Sequence, residues 1–435
     1  MRTLLAATIA ALTVGAMGAV AAPVAVAADS PATTVHVGAL LSITGGGSTL
    51  GNTSKVALQV AVAKWNAQPA AKRGNTKLVL DVYNTNLEPD KAVTGLKQLA
   101  KKGAHVVIGP QSSSEVVAIK DLAASLGVLV VSQGSTASSL AIPNDNVFRF
   151  VPTDHVEGKA ITDLMVKDGA TEIVPMWRND AGNQGLSDTV RSTAPDHGVN
   201  VTPGYRYEPD TTEFTTALTA ITSQVNDAIA TVGVNHVAVY LAGFEETAKV
   251  LAAAKAIPDL AGVRWYGGDG SAQATALIHN TKGAAFAVSA HGYPSPLVAL
   301  PADRATKDAA LITLISKKAK APADAFTLAA YDALNVSAQA LVAAGKNPDN
   351  AALQSAFTTA ADGYPGVTGI IELDAAGDRT TAPYAFWSIC ASGSSGTSTG
   401  PPKWVRTGLW ESAAHPASFA VQATATLTSD GCPLT

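Results

Sequence analysis

The sequence predicts an α/β protein of two lobes, each a mainly parallel sheet flanked by helices. Three observations carry this. Short β-rich runs alternate with helical patterns from Val35 onward, the order that builds parallel sheets out of βα units. The strand runs are nearly continuous in apolar residues, as expected when helices cover both faces of a sheet. The alternation comes in two successive sets followed by more helices, within 435 residues, enough chain for two or three domains.

Taken in order, VHVGALL (35–41) reads as a strand and TSKVALQVAVAKWN (53–66) as a helix. KLVLDVYN (77–84) is the next strand, and EPDKAVTGLKQLAKKG (88–103) a helix with Gly103 as its stop. HVVIG (105–109), SSEVVAIKDLAASLG (113–127) and VLVVS (128–132) follow as strand, helix and strand. A second set begins after VFRFVPTD (147–154), with strands at EIVPMW (172–177), HVAVYLAG (236–243) and VRWYGG (263–268). Helices are expected over 303–320 and 325–345. IIELDAAGDRT (370–380) reads as a hairpin-like element whose Ala-Ala-Gly-Asp supplies the turn. ASGSSGTSTGPP (391–402) reads as a flexible loop, and KWVRTGLW (403–410) as an added strand or a surface cover.

The first residues, MRTLLAATIAALTVGAMGAVAAPVAVAADS, combine Arg2, an apolar stretch and the small triplet Ala25-Val26-Ala27. This is the pattern of a secretory signal peptide over 1–27; an uncleaved membrane anchor is the alternative. No cysteine stands near it to carry a lipid. The two cysteines, Cys390 and Cys432, invite a disulfide in an exported protein, worth about 4 kcal/mol of chain entropy for a loop of roughly 40 residues. Hydrophobic residues make up 47% and charged residues 15%, with a formal net charge of −4. Without clustered Lys and Arg, no nucleic-acid partner is expected.

In open α/β sheets ligands bind beyond the carboxyl ends of the strands, so the cleft between two lobes is the natural site. Three loops stand at such ends in the first set: LLSITGGGSTLG (40–51), IGPQSSSE (108–115) and VSQGSTASS (131–139). Each offers hydroxyls and backbone N–H groups near a helix start, where unpaired donors and the helix dipole suit an anion. Each also serves equally as an ordinary helix cap. In the second set YGGDGSA (266–272) places Asp269 between glycines past a strand, either as a turn former or as a partner for a cationic group. Trp177-Arg178 ends another strand; Trp177 could pack on an apolar or planar ligand group, or simply be an edge aromatic.

These segments in sequence resemble the leucine/isoleucine/valine-binding protein family, the type I periplasmic solute-binding proteins of ABC importers. The resemblance runs from about Val35 to Trp387 through GALLSITGGGSTLG, IGPQSSSEVVAIKDLAASLGVLVVSQGSTAS, RNDAGNQGLSD, YLAGFEETAKVLAAAKA, YGGDG, YDAL and GVTGIIELDAAGDR. It implies the type I two-lobe fold with a hinge of several crossovers. Lobe 1 would span 34–152 plus 288–378, lobe 2 would span 153–287 plus 379–390, and 391–435 would be a C-terminal extension. It further implies that Ser113 and the backbone and hydroxyl of Thr136 meet a ligand α-carboxylate. The carbonyl of Gly134 and the side chain of Asp269 would receive the ammonium. Asp269 stands where many members carry Glu, and Leu50, Gly182 and Phe244 stand where amino-acid-binding members carry tyrosine, so leucine-type specificity does not follow. Gly182 leaves room for a bulkier ligand or a water.

No His-Glu-x-x-His, Gly-x-Ser-x-Gly elbow, dinucleotide fingerprint or Walker lysine is present, and Ser113 has no evident base. No metal or cofactor is expected. The reading is an exported binding protein that captures an amino acid or similar small polar ligand by hinge closure and presents it to an ABC permease. A sensory receptor subunit of the same fold is the alternative, and a secreted hydrolase the third.

Overall fold

The computed structural model describes residues 32–380, 382–392 and 400–410. The expected signal peptide and Cys432 lie outside the described residues. Strands β1 (Thr33–Leu41), β2 (Thr76–Asn84), β3 (Val106–Ile108), β4 (Leu129–Ser132) and β5 (Val147–Arg149) form a sheet in the order β2-β1-β3-β4-β5. Every pairing is parallel. The order reverses between β1 and β3, which opens a crevice at their carboxyl ends. β5 comes from VFRFVPTD, read in the sequence only as a boundary; three residues are too few for a periodic signal.

Helices α1 (Ser48–Asn66), α2 (Pro89–Lys101) and α3 (Ser113–Leu126) connect these strands. α1 begins five residues before the expected Thr53, because GGGSTLG hides a helix start under turn-like composition. Gly47 caps it in the left-handed region at φ 69°, and Gly51 lies so close to the Ser42 carbonyl that an added Cβ would sit 1.8 Å from it. This contact presses the first turn of α1 onto the end of β1.

The second sheet contains β6 (Glu172–Arg178), β7 (Asn200–Val201), β8 (Tyr205–Tyr207), β9 (Val237–Ala242) and β10 (Arg264–Gly267). Its order is β10-β9-β6-β7, with β8 also on β6. Pro175 sits inside β6 although it cannot donate to a ladder. The reason is visible in the pairing: β7 covers Glu172 and Ile173, β8 covers Met176 to Arg178, and Pro175 faces the gap between them. Helices α4 (Asp154–Lys167), α5 (Ala181–Thr193), α6 (Thr215–Val232) and α7 (Thr247–Ala254) flank this sheet.

The chain then runs through β11 (Ser295–Val298), the hairpin β12 (Tyr364–Gly366) and β13 (Gly369–Ile371), and the long strands β14 (Tyr384–Ser392) and β15 (Gly400–Trp410). β11, β14 and β15 form an antiparallel sheet in that order. The expected boundaries assigned β11 to lobe 1 and β14 to lobe 2, and the sheet joins the two segments directly. KWVRTGLW takes the strand role expected as one of its two options. Trp410 Nε1 donates to Asp163 at 2.9 Å and Trp404 Nε1 to the Ala274 carbonyl at 3.1 Å, so the strand is fastened to the second lobe. Cys390 in β14 is disulfide-bonded. The helix expected over 303–320 is two, Ala302–Lys307 and Ala309–Ala319, broken at Asp308.

The helix Ala325–Ala344 is apolar nearly all round and packs against α1 under the first sheet; such a helix belongs inside. The chain passes from the first sheet to the second after β5, returns through β11 to the helices packed on the first sheet, and comes back past Asp378 to β14. At the first and last passages Arg149 N donates to Gly377 O and Arg379 N to Arg149 O. There the fully buried Arg149 guanidinium also grips Asp378 in a bidentate pair, Nε to Oδ1 at 2.5 Å.

Candidate functional site: a cleft between two lobes

The carboxyl ends of both parallel sheets face one cavity of about 90 Å³. A single water needs about 10–15 Å³ of such space, so the cavity takes a ligand of several heavy atoms. From the first lobe it is lined by the loop and first turn of α1, including Thr49 and Leu50, and by Gln111, Ser113, Gly134 and Thr136. From the second come Gly182, Phe244, Glu245 and Asp269.

Seven of the eight residues singled out in the sequence therefore meet here: Leu50, Ser113, Gly134, Thr136, Gly182, Phe244 and Asp269. Trp177 does not line the cavity. It is 8% exposed, its Nε1 donates to Gln184 Oε1 at 2.9 Å, and Arg191 stacks 5.0 Å from its ring. Its ring is engaged on the α5 side of the strand, where it packs as core; the preceding-strand position alone did not reveal which side it takes. Arg178, its neighbour, pairs with Asp180 at 2.9 Å and lies over Phe244.

The three serines of IGPQSSSE separate cleanly by partner. Ser112 is the N-cap of α3 in a capping box: its Oγ accepts Glu115 N, and Glu115 Oε2 accepts Ser112 N, an arrangement worth about 1 kcal/mol. Burial raises the Glu115 carboxyl above its ordinary range, and Ser112 Oγ donates to it at 2.6 Å. Ser113 faces the cleft. Its Oγ accepts the main-chain N–H groups of Thr136 and Ala137 and the hydroxyl of Ser135, all within 3.0–3.2 Å. Ser114 reaches across the cleft, where its Oγ accepts Ala181 N at 3.2 Å. Thr49 makes a second bridge, donating to Glu245 Oε1 at 2.9 Å. The two lobes are thus in contact around the cavity.

Gly182 leaves the space the sequence suggested: an added Cβ would stand 3.6 Å from Ser113 Oγ and 3.7 Å from Asp180 Oδ1, ordinary contact. Gly134 has less room, 2.9 Å from the Gln111 carbonyl, which fixes the turn after β4 against that after β3. Gln111 went unnoticed inside the quoted motif. Its Nε2 donates to Gly47 O at 2.8 Å and its Oε1 accepts Ser42 N at 3.4 Å, so it ties two of the three strand-end loops together. A glutamine between a proline and a serine has no periodic signal; only the motif itself marked it.

The electrostatics of the cavity are one-sided. Among the described lining residues Glu245, Asp269 and Asp324 are acidic and none is Lys, Arg or His. Burial pushes the Asp269 carboxyl up to about 6. Behind it stand two carboxyls that the sequence reading missed, Asp154 and Glu157, both without solvent exposure. Burial raises both well above the ordinary range, with the neighbouring acids adding to the effect. Oε2 of Glu157 finds no donor, and Asp154 stands against the Thr136 side chain. The turns after β3 and β4 in the first lobe offer N–H groups and hydroxyls to the cavity, and Asp269 offers a carboxyl from the second. Among the described residues no group of three or more His, Cys, Asp or Glu could hold a metal.

Two α/β lobes joined by several crossings and facing one cavity define a solute-binding protein of the type I architecture. Residues 34–394 match the periplasmic binding protein family, and the chain belongs to it, a family of exported, non-enzymatic substrate-binding proteins. An uncharacterized protein of Methanocaldococcus jannaschii is 27% identical over 395 residues, covering 87% of this chain and 90% of the relative. The Leu/Ile/Val-binding protein BraC3 of Rhizobium johnstonii is 26% identical over 360 residues, covering 81% of this chain and 91% of its own. The crystal structure of the leucine-binding protein LivK of Thermotoga maritima superposes with a TM-score of 0.70 at 20% identity, over 85% of this chain and 97% of that one. The chain thus resembles members of the leucine/isoleucine/valine-binding group in both sequence and fold.

Proposed function

We propose that this chain is the extracytoplasmic solute-binding protein of an ABC importer, capturing an amino acid or similar small amine-bearing ligand by hinge closure. One observation carries the reading: N–H and hydroxyl donors gathered at Ser113 and Thr136 on one lobe face the Asp269 carboxyl on the other across a single cavity. That is the pairing a zwitterion requires, and occupying both ends at once favours the closed form. The Leu/Ile/Val-binding relative supports the ligand class, and the family supports delivery to a membrane permease. Leu50, Gly182 and Phe244 shape a cavity wall without phenolic groups, so the side chain accepted differs from one recognised through tyrosine hydroxyls.

A thermal-shift screen of the mature protein against amino acids, amides, amines and aromatic acids tests this, because ligand binding raises the melting temperature by mass action. Amino acids are expected to respond. A response confined to compounds without an amine would end the zwitterion reading while leaving the fold intact.

A further inference from the structure

Asp269 is not alone in the second lobe. Glu157, on the first turn of α4, accepts the Asp269 main-chain N–H on Oε1 at 2.9 Å, which sets its carboxyl beside Asp269. Glu157 has no solvent exposure and its Oε2 finds no donor. Two facing carboxylates are both acceptors, so a buried pair of this kind is satisfied only when one member holds a proton and donates it to the other.

We propose that Glu157 is a positioning residue for the amine site: it stands protonated, holds the Asp269 backbone through Oε1, and donates its proton to the Asp269 carboxylate. The pair then presents a single negative charge to the cleft, carried by Asp269. This rests on the reading of Asp269 as the ammonium partner, and adds how that residue keeps its charge in a buried, acid-rich setting.

The assignment of the proton to Glu157 follows from the surroundings. Asp269 lines the cavity, and its charge is opposed from the N-cap of α5 by Asp180. Glu157 is sealed from solvent, with Asp154 on its own helix, Tyr240 of β9 and Tyr384 of β14 as its other titratable neighbours. Both tyrosine hydroxyls lack partners and are held protonated by burial and the adjoining acids. Among the described residues no cation pairs with Glu157, and Arg149 and Arg379 are engaged with Asp378 and with Thr368. A second charge on Glu157 would be unpaired and desolvated, and a buried carboxyl in that position keeps its proton.

Infrared spectroscopy of the ligand-free full chain at pH 7.5 tests the proposal, since a protonated carboxyl has a carbonyl stretch that a carboxylate lacks. Subtracting the Glu157→Gln spectrum from wild type is expected to leave one protonated-carboxyl band. Subtracting the Asp269→Asn spectrum should leave carboxylate bands only. In Glu157→Leu the Asp269 titration should move up by about one to two pH units, the size expected when a hydrogen bond to a charged group is lost, whereas Glu157→Gln, which still donates, should restore it. A protonated band that disappears with Asp269 instead of Glu157, or a Glu157→Leu titration unmoved from wild type, would overturn the assignment. Because no ligand is present in these measurements, they stand or fall separately from amine binding.

Discussion

The hydroxyl oxygen of Ser113 accepts the main-chain N–H of Thr136 at 3.2 Å and that of Ala137 at 3.1 Å. The side chain at the start of α3 thereby occupies the donors that an anionic ligand would use. Ser113 is 5% exposed and Thr136 also 5%, so removing the hydroxyl leaves buried donors unsatisfied. Ser113→Ala is expected to lower the stability of the ligand-free protein by about 1–3 kcal/mol. A ligand carboxylate would re-supply the acceptor, so the melting-temperature gap between variant and wild type should narrow at saturating amino acid. A gap that stays constant with ligand would mean that these donors do not face the ligand.

The Asp269 carboxyl gives a pH dependence whose sign can be worked out. Its folded value is raised from 3.8 to about 6 by burial, so between those values the folded state binds more protons than the unfolded one. Stability contributed by this group is therefore greatest at low pH, falls as pH rises from about 4 to 6, and stays reduced above. Asp269→Asn removes that penalty: its ligand-free melting temperature should exceed wild type at pH 7 to 8, with the difference shrinking toward pH 4. Amine binding has the opposite trend, because only the ionised carboxyl pairs with an ammonium. Affinity in wild type should rise from pH 5 to pH 7 and be lost in the variant; calorimetry showing equal affinity in both would remove Asp269 from the site.

The bridges from Ser114 to Ala181 and from Thr49 to Glu245 join residues of opposite lobes. Contacts that span the cleft hold only while its two faces stay together. Ser114→Ala with Thr49→Val should leave the unfolding of the ligand-free protein close to wild type while weakening ligand affinity. At about 0.5–1.5 kcal/mol per hydrogen bond, the double variant should lose roughly fivefold to 150-fold, mostly through faster dissociation. Stopped-flow release of bound amino acid measures this directly. An unchanged dissociation rate would show that closure does not depend on these contacts.

Much of this architecture was legible because burial leaves a mark on composition. β1, β4, β6, β9 and β10 are apolar runs that a two-sided sheet requires, and each appears where that pattern places it. What escaped has physical causes. β5, β7 and β8 are two or three residues long, below any period. The start of α1 was hidden because its cap and close packing demand the same glycines that a loop uses. In the site, Ser113 and Asp269 could be named because they sit at strand ends within recognisable segments. Asp154 and Glu157 could not, since acids on the first turn of a helix read as dipole complements on the surface, and only the sheet packed behind them turns them inward. Trp177 failed for the related reason that a strand-end aromatic can face either side.

Arg149 and Asp378 make the last case, because they lock the first and last passages between the lobes. Arg149 has no exposure and Asp378 is 1% exposed, and the adjoining backbones are hydrogen-bonded in register. Arg149 also donates to the Ala137 carbonyl at 2.6 Å, next to the turn that carries Thr136. Asp378→Asn leaves the guanidinium buried without its counter-charge, and breaking such a pair costs about 3–5 kcal/mol. Replacing both members by apolar residues of similar volume costs much less, since the desolvation of the pair disappears with it. Chemical denaturation should therefore rank Asp378→Asn well below the double variant Arg149→Met, Asp378→Leu. Ligand affinity should discriminate in the other direction: the double variant loses the Arg149 bond to Ala137 and with it the position of the Thr136 turn, whereas Asp378→Asn keeps that bond. If the two variants bound amino acid equally well, the hinge pair would serve stability alone and have no hold on the cleft.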